Sequence, residues 1–168
     1  MSEADSPWAR LACRVVRVAM ARKDVTYASL TRSFIADGVE ETERGLVLRV
    51  TRGTLRLDSF LHALSLMSAT PPALWRQGLS VNCDWPSRAS AVVLAELQEA
   101  QLTDMAELAA RLERLGTAIP AKVLEGHIMS GTIALSLFLQ VAFVVRSPSL
   151  ERYIDLADVA ATADGSMV

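Results

Sequence analysis

Apolar residues recur at helical spacing along most of the chain, which predicts a fold built from helices. Ser6 is suited to cap a first helix that begins at Pro7, because serine accepts from free backbone amides and proline fits the first helical turn. Thr26 and Gly38 are residue types that begin and end a second helix, and Gly53 would end a third. The face that the first helix would bury consists of Trp8, Leu11, Ala12, Val15, Val16, Ala19 and Met20.

The same pattern of residues occurs twice. Residues 8–75 align with residues 85–153 at an offset of 77 that becomes 78 after one single-residue shift. An ordered set of matches with one shift favours a tandem duplication over chance similarity between two helical segments. The aligned pairs include two glycines from each stretch, which are Gly38 with Gly116 and Gly53 with Gly131.

We therefore predict an all-α protein of two tandem five-helix units with a pseudo-two-fold repeat. The first copy would span 6–77 and the second copy 84–156, while the small and polar residues 157–168 would form a flexible tail. The helices predicted for the second copy are 86–100, 104–115, 121–129, 136–145 and 148–156.

The order of these features resembles that of lambda-repressor-like helix-turn-helix proteins. The matching positions are Thr26, Leu30 and Gly38 around the second helix, Arg49–Gly53 after the third, and Leu57, Phe60, Leu61 and Leu64 in the fourth. More closely, residues 16–67 resemble a bacterial domain family of unknown function that has one such unit and is related to those repressors. The resemblance implies two lambda-repressor-like units, with a diverged second copy.

The composition fits a folded protein without disulfides. Of the 168 residues, 51% are hydrophobic and 21% are charged, which excludes a disordered chain, and two cysteines cannot form a disulfide framework. The apolar stretch 133–145 is shorter than the roughly 20 residues that a membrane-spanning helix needs. Because the first residues are acidic and polar, unlike a signal peptide, we expect a cytoplasmic protein that does not contact a membrane.

No residue pattern typical of an enzyme appears. The only histidines, His62 and His127, lack the spacing of a metal or catalytic pair, and His62 is predicted on the exposed side of the fourth helix. Cys13 lies near the apolar face of the first helix and is interpreted as a small core residue. We therefore predict no catalytic residue, no metal site and no cofactor.

The charge is divided unequally between the copies. Residues 8–77 carry 11 lysines and arginines against 6 acids, a net charge of +5, whereas residues 78–168 carry 6 against 11, a net charge of −5. Helix-turn-helix proteins place their third helix in the major groove and hold phosphates with basic side chains. The first copy is thus predicted to bind DNA, as part of a transcriptional regulator. The predicted DNA contacts are Arg14, Arg17, Arg44, Arg49, Arg52 and Arg56.

A second hypothesis is a protein-interaction adaptor that keeps the helix-turn-helix fold without binding DNA. Glu40, Glu41 and Glu43 lie before and within the predicted third helix, where they would repel phosphates. The segment from Leu30 to Gly38 is about three residues longer than the usual helix-turn-helix spacing. Both features favour the adaptor.

The second copy replaces basic and polar positions of the first copy by apolar residues. Helix-turn-helix regulators usually bind DNA as two-fold dimers, and each chain here has only one basic copy, so two DNA-binding units would require two chains. The apolar surface therefore predicts a homodimer formed through the second copy. The alternative is that the same surface packs against the first copy within one chain. The predicted interface residues are Leu94, Leu137, Phe143 and Val145, which align with Arg17, Ser59, Ser65 and Met67.

Overall fold

The structure is a computed structural model, and it describes residues 6–166. Within these residues the regular elements are ten α-helices and two short 3₁₀ segments, Ala73–Trp75 and Pro148–Arg152, with no strand. The all-α prediction and the prediction of two tandem helical units are confirmed. The helices are α1 Pro7–Arg22, α2 Tyr27–Ala36, α3 Glu43–Thr51, α4 Leu57–Leu66, α5 Arg76–Ser80, α6 Trp85–Glu99, α7 Met105–Arg114, α8 Ala121–Ser130, α9 Leu135–Val144 and α10 Leu156–Ser166.

The backbone repeats as closely as the sequence does. Ser6 caps α1 by accepting from the Ala9 amide at 3.0 Å, and Asp84 caps α6 through the Ser87 amide at 2.9 Å. Every residue with a left-handed backbone conformation in the described chain has an aligned partner with the same conformation. These pairs are Asp24 with Gln101, Gly38 with Gly116, Gly53 with Gly131, and Ser68 with Arg146.

The chain differs from the sequence prediction after residue 156. Instead of a flexible tail, residues 156–166 form α10, and 167–168 lie outside the described residues. Small residues in this segment allow close packing, and α10 lies against α1 with Val159 and Ala163 buried. The segment is therefore part of the folded core.

The two copies pack against each other around a pseudo-two-fold axis. Helix α1 of the first copy lies on α9 of the second, and α6 of the second lies on α4 of the first. Between them, the Leu57 amide donates to the Ile133 carbonyl at 3.0 Å, and the Leu135 amide donates to the Leu55 carbonyl at 2.9 Å. These are aligned positions, so the copies meet as an isologous dimer does, although they belong to one chain.

Four aromatic rings reinforce this axis, two from each copy. Trp75 stacks on its aligned partner Tyr153 with ring centroids 6.0 Å apart. Trp75 contacts Phe138 edge-on at 5.7 Å, and Tyr153 contacts Phe60 edge-on at 5.6 Å, so the crossed contacts are also aligned. Trp75 Nε1 donates to the buried Glu96 carboxylate at 2.7 Å. The centre of the core is thus shared between the copies.

Replacing Tyr153 by phenylalanine should remove one component of alkaline unfolding. Burial raises the pKa of Tyr153 to about 12, against about 10 for an exposed tyrosine. Between these values the unfolded chain releases a proton that the folded chain keeps, so stability falls as the pH rises, by about 3 kcal/mol in all and by about 2 kcal/mol at pH ~11.5. Denaturant unfolding of both proteins at pH 8, 10 and about 11.5 measures this difference.

At pH 8 the Tyr153→Phe variant should match the wild type within about 1 kcal/mol, because the buried hydroxyl has no hydrogen-bond partner among the described residues. An alkaline loss of stability that is equal in the two proteins would contradict the assignment to Tyr153.

His62 is buried, so its predicted exposure is wrong. Its Nε2 lies 2.6 Å from Asp37 Oδ2, and its ring stacks on Trp85 at 4.5 Å and meets Phe34 edge-on at 5.0 Å. The aligned Gln140 also bonds to the segment after the second helix of its own copy, at Thr117. The polar residue at this position joins the fourth helix of each copy to the turn after its second helix.

No helix in the described part of the chain combines the length and hydropathy needed to cross a membrane. The apolar α9 instead lies between α1, α4 and α7.

Candidate nucleic-acid interface

Helix α3 presents a basic face to solvent. Thr42 caps it by accepting from the Gly45 amide at 3.0 Å, and Leu46 and Val50 bury the opposite face against the core. Four-residue spacing brings side chains to one side of a helix, so a second set of residues lies together away from the core. This exposed set is Arg44, Leu48 and Arg52, with Leu48 39% exposed.

The end of α3 is fixed against the start of α1. Gly53 has a φ of +65° and passes so close to α1 that an added Cβ would lie 2.3 Å from the Ala9 carbonyl oxygen. Only glycine allows this approach together with a left-handed backbone. The position of Arg52, one residue earlier, is therefore set by backbone packing.

Three arginines of α1 line an open groove of about 630 Å³ that reaches the end of α3. Its lining combines arginines with small and apolar side chains. The Tyr27 hydroxyl, and after it the Cys13 thiol, raise the pKa of Arg17, whose guanidinium is exposed and stays charged. The residues that line this groove, called the α1 groove below, are Arg10, Cys13, Arg14, Arg17, Val18, Ala21 and Thr51.

Three of the six predicted DNA contacts form ion pairs within the chain. Arg49 binds the carboxylate of Glu41, whose side chain is nearly buried, and Arg56 Nε donates to Asp58 Oδ1 at 3.1 Å. Arg14 Nη2 donates to Asp158 Oδ2 of α10 at 2.7 Å. Among the described residues, the other three predicted contacts form no ion pair; these are Arg17, Arg44 and Arg52.

Both copies match the same known protein family. Residues 8–71 and residues 85–150 each match the family described as a domain of unknown function, DUF6471. The chain belongs to the DUF6471 family. A search of curated proteins and a search of solved structures found no match. The matched stretches contain α1–α4 and α6–α9, so α5 and α10 begin after the DUF6471 copies end.

The second DUF6471 copy has lost most of the basic face. In α8 the positions aligned with Arg44, Leu48 and Arg52 are occupied by Lys122, Gly126 and Ser130. An added Cβ at Gly126 would meet no atom within 4 Å, so this helix face is open. Two apolar side chains border it, Val123 at 48% exposed and Met129 at 59% exposed.

The four predicted interface residues of the second DUF6471 copy are half-buried within the chain. The Phe143 ring lies 6.0 Å from the Trp8 ring of the first copy. All four pack against the core that the copies share; they are Leu94, Leu137, Phe143 and Val145.

The acidic partners of the arginines were not identified from the sequence. Glu41 was expected to repel phosphates, whereas it binds Arg49 eight residues away. Asp158 reaches Arg14 from 144 residues away, and no local spacing indicates that contact. Within the described residues, no group of three or more histidine, cysteine or acidic side chains is placed to hold a metal ion.

Proposed function

We propose that this chain is a bacterial transcriptional regulator of the cytoplasm that binds duplex DNA through its first copy. The observation that carries the proposal is the exposed face of α3, where Arg44, Leu48 and Arg52 lie together above a buried Leu46 and Val50. Helix α3 follows α2 in the order of a helix-turn-helix unit, in which the second helix of the pair enters the major groove.

The side chains on α3 suit the edges of bases. Arginine binds guanine through two hydrogen bonds, and an apolar side chain contacts the thymine methyl group. We assign such contacts to Arg44, Arg52 and Leu48. The guanidinium groups of α1 would bind phosphates beside the groove and fix the position of α3, as backbone contacts do in other DNA-binding proteins.

The paired arginines enter the proposal differently. Arg49 and Arg56 would reach DNA only by exchanging Glu41 and Asp58 for phosphate groups. The Arg49–Glu41 pair joins the last turn of α3 to the segment before this helix, whereas Arg56 and Asp58 form their pair at the start of α4.

The adaptor hypothesis rests on α8. This helix exposes Val123 and Met129 around Gly126 and carries little charge, as a surface that binds a protein does. An adaptor would use this face and leave the basic face of α3 solvated.

Binding of the full chain to a fluorescent duplex of mixed sequence separates the two functions. We expect binding at low salt and a plot of log K against log salt with a slope of about −2 to −4, because each neutralised phosphate releases counterions. A duplex from the organism's own promoters should bind more tightly than the mixed sequence. No binding at about 20 mM salt would contradict the DNA proposal and favour the adaptor.

The homodimer remains a separate prediction. The two copies of one chain are themselves related by a pseudo-two-fold axis, so the chain already pairs two related units without a second chain. Sedimentation of the wild-type chain tests whether chains associate further.

A further inference from the structure

Helix α10 begins after the second DUF6471 copy ends and packs on the basic helix of the first. Val159 and Ala163 are buried in this contact. From Leu156 to Ser166 the helix contains two aspartates and no basic residue. An acidic helix thus lies next to the arginines that we assign to phosphates.

Arg14 lies at the boundary between two grooves. On one side is the α1 groove. On the other side is a groove lined by Glu151, Asp155 and the start of α10, and also by Arg22 of α1. Asp158 Oδ2 accepts from Arg14 Nη2 at 2.7 Å, so the guanidinium is bound to a carboxylate of α10.

In the second copy the corresponding helix covers the first helix of its unit without an acidic group at the aligned position. There the short helix α5 packs on α6, at the place where α10 packs on α1. The residue aligned with Arg14 is Ala91, and an added Cβ at Gly78 would lie 3.0 Å from the Ala91 Cβ. Both copies cover this part of their first helix, but only the copy that carries an arginine has an acidic group in the cover.

We infer that α10 is an autoinhibitory element that competes with DNA phosphate for Arg14. The inference rests on the proposed DNA-binding function. A phosphate beside Arg14 must displace the Asp158 carboxylate and approach Asp155, and both charges oppose it. Because the ion pair is exposed to solvent, its removal should change affinity only a few-fold. The slope of log K against log salt reports the number of phosphates neutralised, and it is a sharper measure of the competition than affinity.

The test compares full-length variants binding one labelled duplex between about 50 and 200 mM salt. Asp158→Asn should bind about two- to five-fold more tightly at the lower salt and steepen the slope of log K against log salt by about one. Asp164→Asn, which makes the same change of charge on an exposed residue of the same helix, should leave the slope unchanged. In an Arg14→Gln background, Asp158→Asn should no longer steepen it.

The outcomes distinguish the inference from the function on which it rests. Equal slopes for Asp158→Asn, Asp164→Asn and the wild type, all of which bind, would overturn autoinhibition and leave DNA binding intact. Absence of binding in every variant would contradict both. Circular dichroism of the variants should be unchanged, because the substitutions replace exposed polar groups by others of similar shape.

Discussion

Replacing Gly131 by valine should cost about 3–5 kcal/mol of folding stability. Gly131 has a φ of +69°, a conformation that a β-branched residue adopts only under strain. An added Cβ would also lie 1.8 Å from the Pro86 carbonyl oxygen, and backbone at the start of α6 cannot move aside as a side chain can. Since small domains are stable by only about 5–15 kcal/mol, this loss would lower the unfolding midpoint markedly.

The first copy supplies a replicate and a control. Gly53→Val should have a comparable effect, because Gly53 meets Ala9 as Gly131 meets Pro86. Gly38→Ala tests backbone conformation alone, since Gly38 has a φ of +85° but no atom within 4 Å of an added Cβ. It should cost only about 1–2 kcal/mol. Chemical denaturation of the three variants would refute this account if Gly38→Ala were as unstable as Gly131→Val.

Reversing the charge of Arg44 on α3 and of Arg52 at its C-terminal cap should abolish specific DNA binding. The double variant Arg44→Glu, Arg52→Glu removes two contacts that would each discriminate bases by about 1–3 kcal/mol, and it places two carboxylates against the duplex. We expect an affinity loss on the order of 100-fold or more, measured by fluorescence anisotropy at constant salt. Neither side chain forms an ion pair in the described chain, so folding should be preserved.

The aligned positions of α8 provide the matched control. Lys122→Glu, Ser130→Glu adds negative charge at the corresponding places of the second copy. If only the first copy contacts DNA, this variant should bind within a few-fold of the wild type. Equal losses in the two double variants would show that net charge, rather than the α3 face, determines binding.

The helices and their repetition could be predicted from the sequence because their signals are local. Capping residues and left-handed glycines act within a few positions, and the predicted helix 136–145 differs from α9 by one residue at each end. Residues 157–168 have the composition of a flexible tail, and this prediction is wrong for α10 because contacts with α1, far away in the chain, stabilise that helix.

The packing between the copies could not be predicted in the same way. Helical spacing shows that Phe60 and Phe138 are buried, but it does not show that each lies against an aromatic ring of the other copy. His62 was placed on the surface because its partners, Asp37 and Trp85, come from two other parts of the sequence. The basic face of α3 is predictable from its arginines, whereas the pairing of Arg49 with Glu41 depends on the three-dimensional structure.

Joining the two halves in one polypeptide also allows each half to accept substitutions that the other half does not share. In a dimer of identical chains, every mutation appears twice, and a residue gained on one face is imposed on its symmetry mate. Here the shared centre, with its Leu57 and Leu135 hydrogen bonds and its four rings, keeps the halves together while each accumulates substitutions independently. Arg52 can persist while its counterpart becomes Ser130. The duplication therefore frees one surface to specialise without dismantling the assembly that supports the other.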